Sequence, residues 1–147
     1  MRNQDVVIRK FKIEDYEAVI SLWKVSEIPY KPRGRDTHDK IRKEITKETA
    51  IFLVAEINGQ VVGSVLGTHD GRKGWINRLA VAPEFRKRGI ARLLLKEVED
   101  KLYNLGIEII ACLIEDYNHG SMDFFQHAGY TKHTDIIYFT KRKYPDV

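Results

Sequence analysis

The sequence is poor in the residues and runs that mark secreted, metal-binding or membrane proteins. Its one cysteine, Cys112, excludes an internal disulfide and suits a reducing compartment. There is no apolar run near the roughly 18 residues of a membrane span, and no signal-peptide pattern in residues 1–10. The five histidines show no metal-ligand spacing. We therefore expect a cytoplasmic protein with no membrane contact and no metal.

Charge and size narrow the class further. Lysine and arginine number 25 against 21 aspartates and glutamates, a formal net charge of +4. This balance suits an anionic ligand but is too weak to indicate nucleic acid, so no nucleic-acid partner is expected. With 147 residues, 43% hydrophobic and 31% charged, the chain has the composition of an ordinary globular protein. We predict a single domain over residues 1–147.

The rest of the predicted fold is arranged around residues 77–103. A short apolar strand ending at Val81 runs through Pro83 into a basic loop, and the loop opens a long amphipathic helix. The first amides of a helix have no intrahelical partner and carry the positive end of the helix dipole, an arrangement that binds phosphate. Gly89 lets the backbone approach an anion closely. A solvated basic turn is the alternative. The positive side chains nearby are Arg86, Lys87, Arg88 and Arg92.

The first half of the sequence predicts two helices and four strands. A strand over 6–11 leads into a helix whose apolar face includes Trp23, and a loop over 30–36 follows. Asp36 or Thr37 can cap a short second helix carrying Ile41 and Ile45. Three antiparallel strands then precede the basic loop. Their segments are 51–57, 61–68 and 75–81, with Asn58-Gly59-Gln60 as the clearest hairpin signal and a turn at 70–74.

The second half begins with the long helix, which Gly106 ends. Its apolar face is Ile90, Leu94, Val98, Leu102 and Leu105. The apolar run 107–114 suits a central strand covered on both faces, parallel to the strand before the helix. A short helix over 121–128 and a last strand over 136–140 complete the chain. The predicted fold class is α+β, a mixed, mostly antiparallel sheet with helices on both faces.

Two blocks of residues resemble the GNAT superfamily of N-acetyltransferases. Arg86-Lys87-Arg88-Gly89-Ile90-Ala91 fits its R/Q-x-x-G-x-G/A signature, and residues 79–85 look like its fourth strand and turn. Asn118, then Phe124-Phe125, then Gly129-Tyr130 resemble its second block. The order of elements also fits over residues 6–140. The chain looks closest to the small YpeA-like bacterial members of this family.

The resemblance implies acetyl-coenzyme A as cosubstrate. Its pyrophosphate would lie on the amides of residues 88–91, and its pantetheine arm would run along the fourth strand, between splayed parallel strands 4 and 5. Asn118 would bind the arm, although an Asx turn or helix cap is the alternative there. Phe124 and Phe125 would wall it. The residues so assigned to the cofactor are Leu79, Ala80, Val81, Arg86, Lys87, Arg88, Gly89, Ile90, Ala91, Arg92, Asn118, Phe124 and Phe125.

The implied reaction is direct attack of a primary amine on the thioester in a ternary complex. An aliphatic amine with a pKa of about 10.4 must first lose a proton. The family's usual general acid is a tyrosine where this chain has Phe125, which has no proton to give. Tyr117, Tyr130, a water or an unprotonated leaving thiolate are the alternatives. The candidates for holding a water or acting as base are Asn77, Glu115, Asp116 and His119. Our catalytic assignments are Asn77 and Tyr117.

The acceptor pocket, by family analogy, lies between the first two helices and their loop. We assign Trp23, Tyr30, Arg33 and Arg35 to it, with core packing as the alternative for Trp23. Paired arginines on a loop can fork to an acceptor carboxylate. The partner would be a small-molecule amine, a protein α-amine or a lysine, and a homodimer is compatible with the fold. The competing hypothesis is a coenzyme A-binding sensor or interaction module without efficient catalysis, which the missing tyrosine supports.

Overall fold

The structure is a computed structural model, and it describes residues 5–147. Two short 3₁₀ turns, Ile13–Asp15 and Pro83–Phe85, precede the first helix and follow the fourth strand. The strands and α-helices are, in chain order, β1 (Val7–Lys10), α1 (Tyr16–Val25), α2 (His38–Glu44), β2 (Ala50–Ile57), β3 (Gln60–His69), β4 (Lys73–Val81), α3 (Ile90–Asn104), β5 (Ile109–Cys112) and α4 (His119–His127).

The strands form one sheet in the order β1-β2-β3-β4-β5. Neighbours from β1 to β4 pair antiparallel, and β5 runs parallel to β4 after the α3 crossover. The β2–β3 hairpin turns at Asn58 and Gly59, whose φ angles of 50° and 80° are those of a type I′ turn. The predicted hairpin and the mixed, mostly antiparallel sheet are both confirmed.

Helices cover both faces of the sheet, as predicted. One buried cluster joins α3 and Phe125 of α4 to the sheet, and its centre includes Leu94 and Val98. The other joins α1 and α2 to the opposite face through Trp23 and Ile41. Both clusters are apolar side chains removed from water, so each face supplies part of the hydrophobic stabilisation of the fold.

Helix α3 lies close to the sheet because three strand residues beneath it are glycines. A Cβ built on Gly67 of β3 would collide with Val98 Cγ2. One on Gly63 would lie 3.0 Å from Leu94 Cδ1, and one on Gly74 of β4 would lie 3.1 Å from Leu102 Cδ1. These glycines therefore set where the N-terminus of α3 stands relative to the end of β4.

We expect Gly67→Ala to lower the free energy of unfolding by about 1–3 kcal/mol, the usual cost of overpacking a filled core. The new methyl must displace Val98 on α3. Urea denaturation measures the loss. Gly120→Ala is the matched control, because a Cβ on Gly120 meets only Asn118 Oδ1, at 3.9 Å. Equal stability of the Gly67 variant and the parent chain would contradict this account of α3 packing.

Two predictions for the second half of the chain are wrong. Residues 136–140 form no strand with the rest of the described chain, and Ile137 and Phe139 are 74% and 87% exposed. Residues near the C-terminus contact α2 instead, where Lys40 Nζ donates to the Tyr144 hydroxyl at 2.8 Å. As a result β5 is a four-residue edge strand, not a central one, and Ile109 is 55% exposed. Local β propensity does not determine which strand is paired.

Candidate functional site

Strands β4 and β5 part after four paired residues. Their parallel ladder ends at Ile76 opposite Cys112, while β4 continues to Val81 paired only with β3. Residues 77–81 therefore border a gap on the side where β5 would otherwise lie. The predicted splaying of the parallel strands is confirmed.

The backbone of β4 offers hydrogen-bonding groups to this gap. The Ala82 amide donates to Val62 O of β3 at 2.8 Å. Backbone N–H and C=O groups alternate between the two edges of a strand. Those of Ala80 therefore also point towards β3, whereas those of Leu79 and Val81 point into the gap. Arg86 Nε donates to the Val81 carbonyl at 3.0 Å. The amides of Leu79 and Val81 therefore remain for a ligand, and the Val81 carbonyl is already used by the basic loop.

The start of α3 presents unpaired amides at the end of the same gap. Lys87 and Gly89 adopt left-handed conformations, with φ of 62° and 82°. The first backbone hydrogen bond of α3 runs from the Leu93 amide to Gly89 O at 3.1 Å. The amides of residues 90–92 precede it and have no backbone acceptor within the described part of the chain. Free amides at a helix N-terminus attract anions.

A groove of about 220 Å³ joins the end of β4, the basic loop, the start of α3 and one ring of α4. Its lining residues are Val81, Phe85, Arg86, Lys87, Gly89, Ile90, Ala91, Arg92 and Phe124. All of them except Phe85 are among the residues assigned to the cofactor from sequence. Phe85 ends the 3₁₀ turn, and the Arg88 guanidinium lies 5.1 Å from its ring centre. The sequence signal that could have identified Phe85 is an aromatic residue directly beside the basic loop.

Other residues assigned to the cofactor lie outside this lining. Ala80 is buried in the cluster on the α1 face of the sheet. The Asn118 side chain accepts a hydrogen bond from the Ser121 amide at 3.1 Å and caps α4, so the helix-cap interpretation is confirmed. Phe125 is 7% exposed and packs edge-on against Phe124 and Tyr130, at 5.3 and 5.0 Å between ring centres.

The proton-transfer candidates occupy different environments. Asn77 is exposed on β4, directly after the last residue paired with β5. Tyr117 is 71% exposed in the turn between β5 and α4. The Tyr130 hydroxyl donates to Glu99 Oε2 at 2.7 Å, and burial together with this bond raises the pKa of Tyr130. Tyr130 therefore keeps the proton that it donates to Glu99, and it is a poor acid for a leaving thiolate.

Cys112 stands at the last pair of the β4–β5 ladder. It is partly buried, and burial raises the pKa of its thiol to about 11. The thiol is therefore neutral at physiological pH, which suits packing rather than nucleophilic attack. Across residues 5–147, no group of three or more His, Cys, Asp or Glu side chains is placed to hold a metal ion. Within the same range, no helix combines the length and apolarity needed to cross a bilayer.

The residues assigned to the acceptor divide between core and surface. Trp23 is 1% exposed, so the core-packing interpretation is confirmed and its ring is closed to an acceptor. Tyr30 is partly buried, with its ring centre 6.0 Å from that of Trp23. Arg33 is a surface side chain whose Nε lies 3.8 Å from an Asp146 carboxylate oxygen. Arg35 is exposed, and the paired-arginine fork stays a prediction.

Comparisons with known proteins agree with this geometry. Residues 16–130 match the model of the acetyltransferase (GNAT) family. The PaiA N-acetyltransferase from Thermoplasma acidophilum, in complex with coenzyme A, superposes with a TM-score of 0.76 at 22% identity, covering 85% of this chain and 89% of that one.

Two further solved structures are similar. The aminoglycoside N-acetyltransferase AAC(6')-Iy, bound to the bisubstrate analogue CoA-S-monomethyl-acetylneamine, gives a TM-score of 0.79 at 19% identity over 95% of this chain and 99% of that one. A predicted acetyltransferase with acetyl-CoA from Clostridium acetobutylicum gives 0.75 at 16% identity over 92% and 96%. At these identities the likeness shows a shared fold.

Proposed function

The chain belongs to the acetyltransferase (GNAT) family, and we propose that it transfers the acetyl group of acetyl-coenzyme A to a primary amine, as a single domain and by direct attack in a ternary complex. The observation that carries this proposal is the groove where the β4–β5 gap meets the start of α3. Its free amides and basic side chains fit a diphosphate, and the gap beyond it fits an extended arm.

Different residues of the chain would bind different parts of the cosubstrate. The amides of residues 88–91 would hold the diphosphate, with charge from Lys87 and Arg92, which line the groove. The amides of Leu79 and Val81 would bind the pantetheine arm, and Phe124 would lie along it. The Nδ2 group of Asn118 would reach the arm while its Oδ1 caps α4. When bound, the cosubstrate supplies the activated acetyl group as a thioester.

We assign the proton transfers to Asn77 and Tyr117. The acceptor amine would lose its proton to water, and Asn77, which directly follows the last residue of β4 paired with β5, would hold that water. Tyr117 would protonate the leaving thiolate, because Phe125 has no proton and Tyr130 donates to Glu99. A thiolate is also a tolerable leaving group by itself, since its pKa is about 8.5.

We expect Tyr117→Phe to lower kcat about 10–100-fold, at or below the lower limit of the roughly 10²–10⁴-fold contribution of a general acid because the thiolate can also leave unprotonated, with coenzyme A affinity unchanged. The side chain is 71% exposed, so its loss does not disturb the core. Steady-state kinetics with acetyl-coenzyme A and calorimetry with coenzyme A separate the two effects. Tyr103→Phe is the matched control. Tyr103 is another exposed tyrosine, 54% accessible, and it lies near the C-terminus of α3, whereas the groove is at the N-terminus of that helix. Equal kcat for all three chains would indicate that the thiolate leaves without an acid.

Release of coenzyme A thiol tests the function itself. The parent chain would be screened with acetyl-coenzyme A against amino acids, polyamines, aminoglycosides and peptides. Amine-dependent thiol release with an acetylated product of the expected mass supports the proposal, and hydrolysis alone contradicts it. Because AAC(6')-Iy is solved with an acetylneamine analogue, aminoglycosides belong in the panel. Arg33→Ala with Arg35→Ala tests whether carboxylate-bearing acceptors lose affinity.

A coenzyme A-binding sensor or interaction module is the second candidate. It is favoured by Phe125, which is buried in the core and has no hydroxyl where the family usually carries its acid. This candidate predicts micromolar or tighter coenzyme A binding without thiol release for any amine in the panel.

We also propose that the chain is similar to the small YpeA-like members of the family and that it is cytoplasmic. The cytoplasmic location is proposed because Cys112 is a free thiol.

A further inference from the structure

Asp36 is a buried carboxylate at the end of the acceptor loop, by which we mean residues 31–36 between α1 and α2. It was a candidate cap for α2, but the Thr37 side chain accepts from the Lys40 amide at 3.2 Å and is the cap. Asp36 is 4% exposed. Its Oδ2 accepts hydrogen bonds from the Lys31 amide and from Arg78 Nη2, each at 2.6 Å. Asp36 therefore closes the loop on itself and joins it to β4.

Arg78 stands at an irregularity of β4, where the register with β3 shifts between Ser64 and Leu66. Its φ is 55°, a left-handed conformation that non-glycine residues rarely adopt outside sites that need it. Its carbonyl accepts from Ser64 Oγ at 2.8 Å, and Ser64 Oγ in turn accepts from Trp23 Nε1 at 3.0 Å. The guanidinium lies 5.2 Å from the centre of the Trp23 ring. Both its backbone and its side chain are thus fixed by α1, β3 and the acceptor loop.

The position of Arg78 gives this network a functional meaning. It lies between Asn77, at the fork of the parallel strands, and Leu79, whose amide faces the gap. The side chains of Arg78 and Asp36 are 11% and 6% exposed, so water screens their attraction little. A buried ion pair often contributes little net stability, and replacing it by apolar groups is frequently neutral. Fold stability alone does not explain a charged pair and a strained backbone at this place.

We infer that Asp36 and Arg78 are positioning residues that couple the acceptor loop to the β4 backbone at the acetyl site. The pair holds the loop in register with the strand along which the thioester would lie, so that the amine arrives at the reacting carbon in one orientation. This inference rests on the proposed function. It assigns the two residues no contact with substrate.

Hydrogen exchange and kinetics test the coupling. In the parent chain, coenzyme A should slow amide exchange in residues 87–92 and also in residues 31–36. In Arg78→Met the protection of 87–92 should remain and that of 31–36 should be lost. Acceptor kcat/KM should fall about 10–100-fold in Arg78→Met and Asp36→Asn, the scale of a misplaced reactant, with coenzyme A affinity within about twofold. Arg78→Lys, which keeps the charge, should recover part of the rate.

Asp15→Asn is the matched control. It breaks another partly buried ion pair, in which Arg9 Nη1 lies 2.8 Å from Asp15 Oδ2, and this pair involves β1 and the turn before α1 instead of the acceptor loop. It should lower the melting temperature without changing acceptor kinetics or loop protection. If the Asp36 and Arg78 variants behave like it, the inference is overturned and the proposed function stands. Absence of coenzyme A-dependent protection of 31–36 in the parent chain also overturns it. This measurement needs no variant, so it tests the inference even if a variant fails to fold. If no amine is acetylated while protection of 31–36 depends on Arg78, the coupling holds and the acetyl transfer fails.

Discussion

We expect Gly89→Val to weaken coenzyme A binding about 100-fold. Gly89 has a φ of 82° immediately before α3, and it lines the groove with the first helical residues. A β-branched residue resists this left-handed conformation and would add two methyl groups where a diphosphate approaches the amides. Loss of about two charge-assisted hydrogen bonds at about 1.5 kcal/mol each corresponds to this factor. Isothermal calorimetry with coenzyme A measures it.

Gly106→Val separates the backbone effect from the binding effect. Gly106 follows the other end of α3, with a φ of 88°, and no atom lies within 4 Å of a Cβ built on either glycine. Both variants should therefore lose similar stability, since the strain is similar. Only Gly89→Val should lose affinity. Equal affinities of the two variants would show that the start of α3 does not hold the diphosphate.

Features specified by neighbouring residues could be predicted from the sequence. The Asn58-Gly59 turn, the period of α3 and the basic loop each depend on a short run of side chains. Most of the groove lining followed for the same reason, since Arg86 to Arg92 is one continuous stretch of loop and helix start, but Phe85 was not assigned and Val81 was assigned only through the family resemblance. Phe124 joined it only through the resemblance to the family's second block.

Features that depend on distant contacts could not be predicted. The segment 136–140 has the composition of a strand, yet pairing requires a partner edge, and its apolar side chains stay exposed. Asp36 looked like a helix cap because its local sequence is that of a cap. Its ion pair with Arg78 spans 42 residues and becomes visible only when the loop and β4 are seen together. The bond from Tyr130 to Glu99 similarly removes an acid that the sequence left open.

We expect Arg92→Glu to weaken coenzyme A binding by about 30–100-fold at low salt. Arg92 is the third residue of α3 and lines the groove beside the free amides. The variant removes a charge-assisted contact, worth about 1.5–3 kcal/mol, and places a carboxylate near the bound phosphates. Added salt screens both the attraction in the parent chain and the repulsion in the variant. The affinity ratio between the two should therefore shrink as ionic strength rises, which calorimetry at two or more salt concentrations measures.

Lys101→Glu distinguishes local from overall electrostatics. Lys101 lies in the last turn of the same helix, and its replacement changes the formal charge of the chain as much as Arg92→Glu does. If long-range attraction by the net charge of +4 governed binding, both variants would lose the same affinity. If the start of α3 is the binding site, Lys101→Glu should bind coenzyme A within about threefold of the parent chain at about 0.15 M salt, because Lys101 lies about 13 Å along the helix from Arg92 and the Debye length there is about 8 Å. Equal losses would move the diphosphate away from the groove, and with it the acetyl group from the gap between β4 and β5.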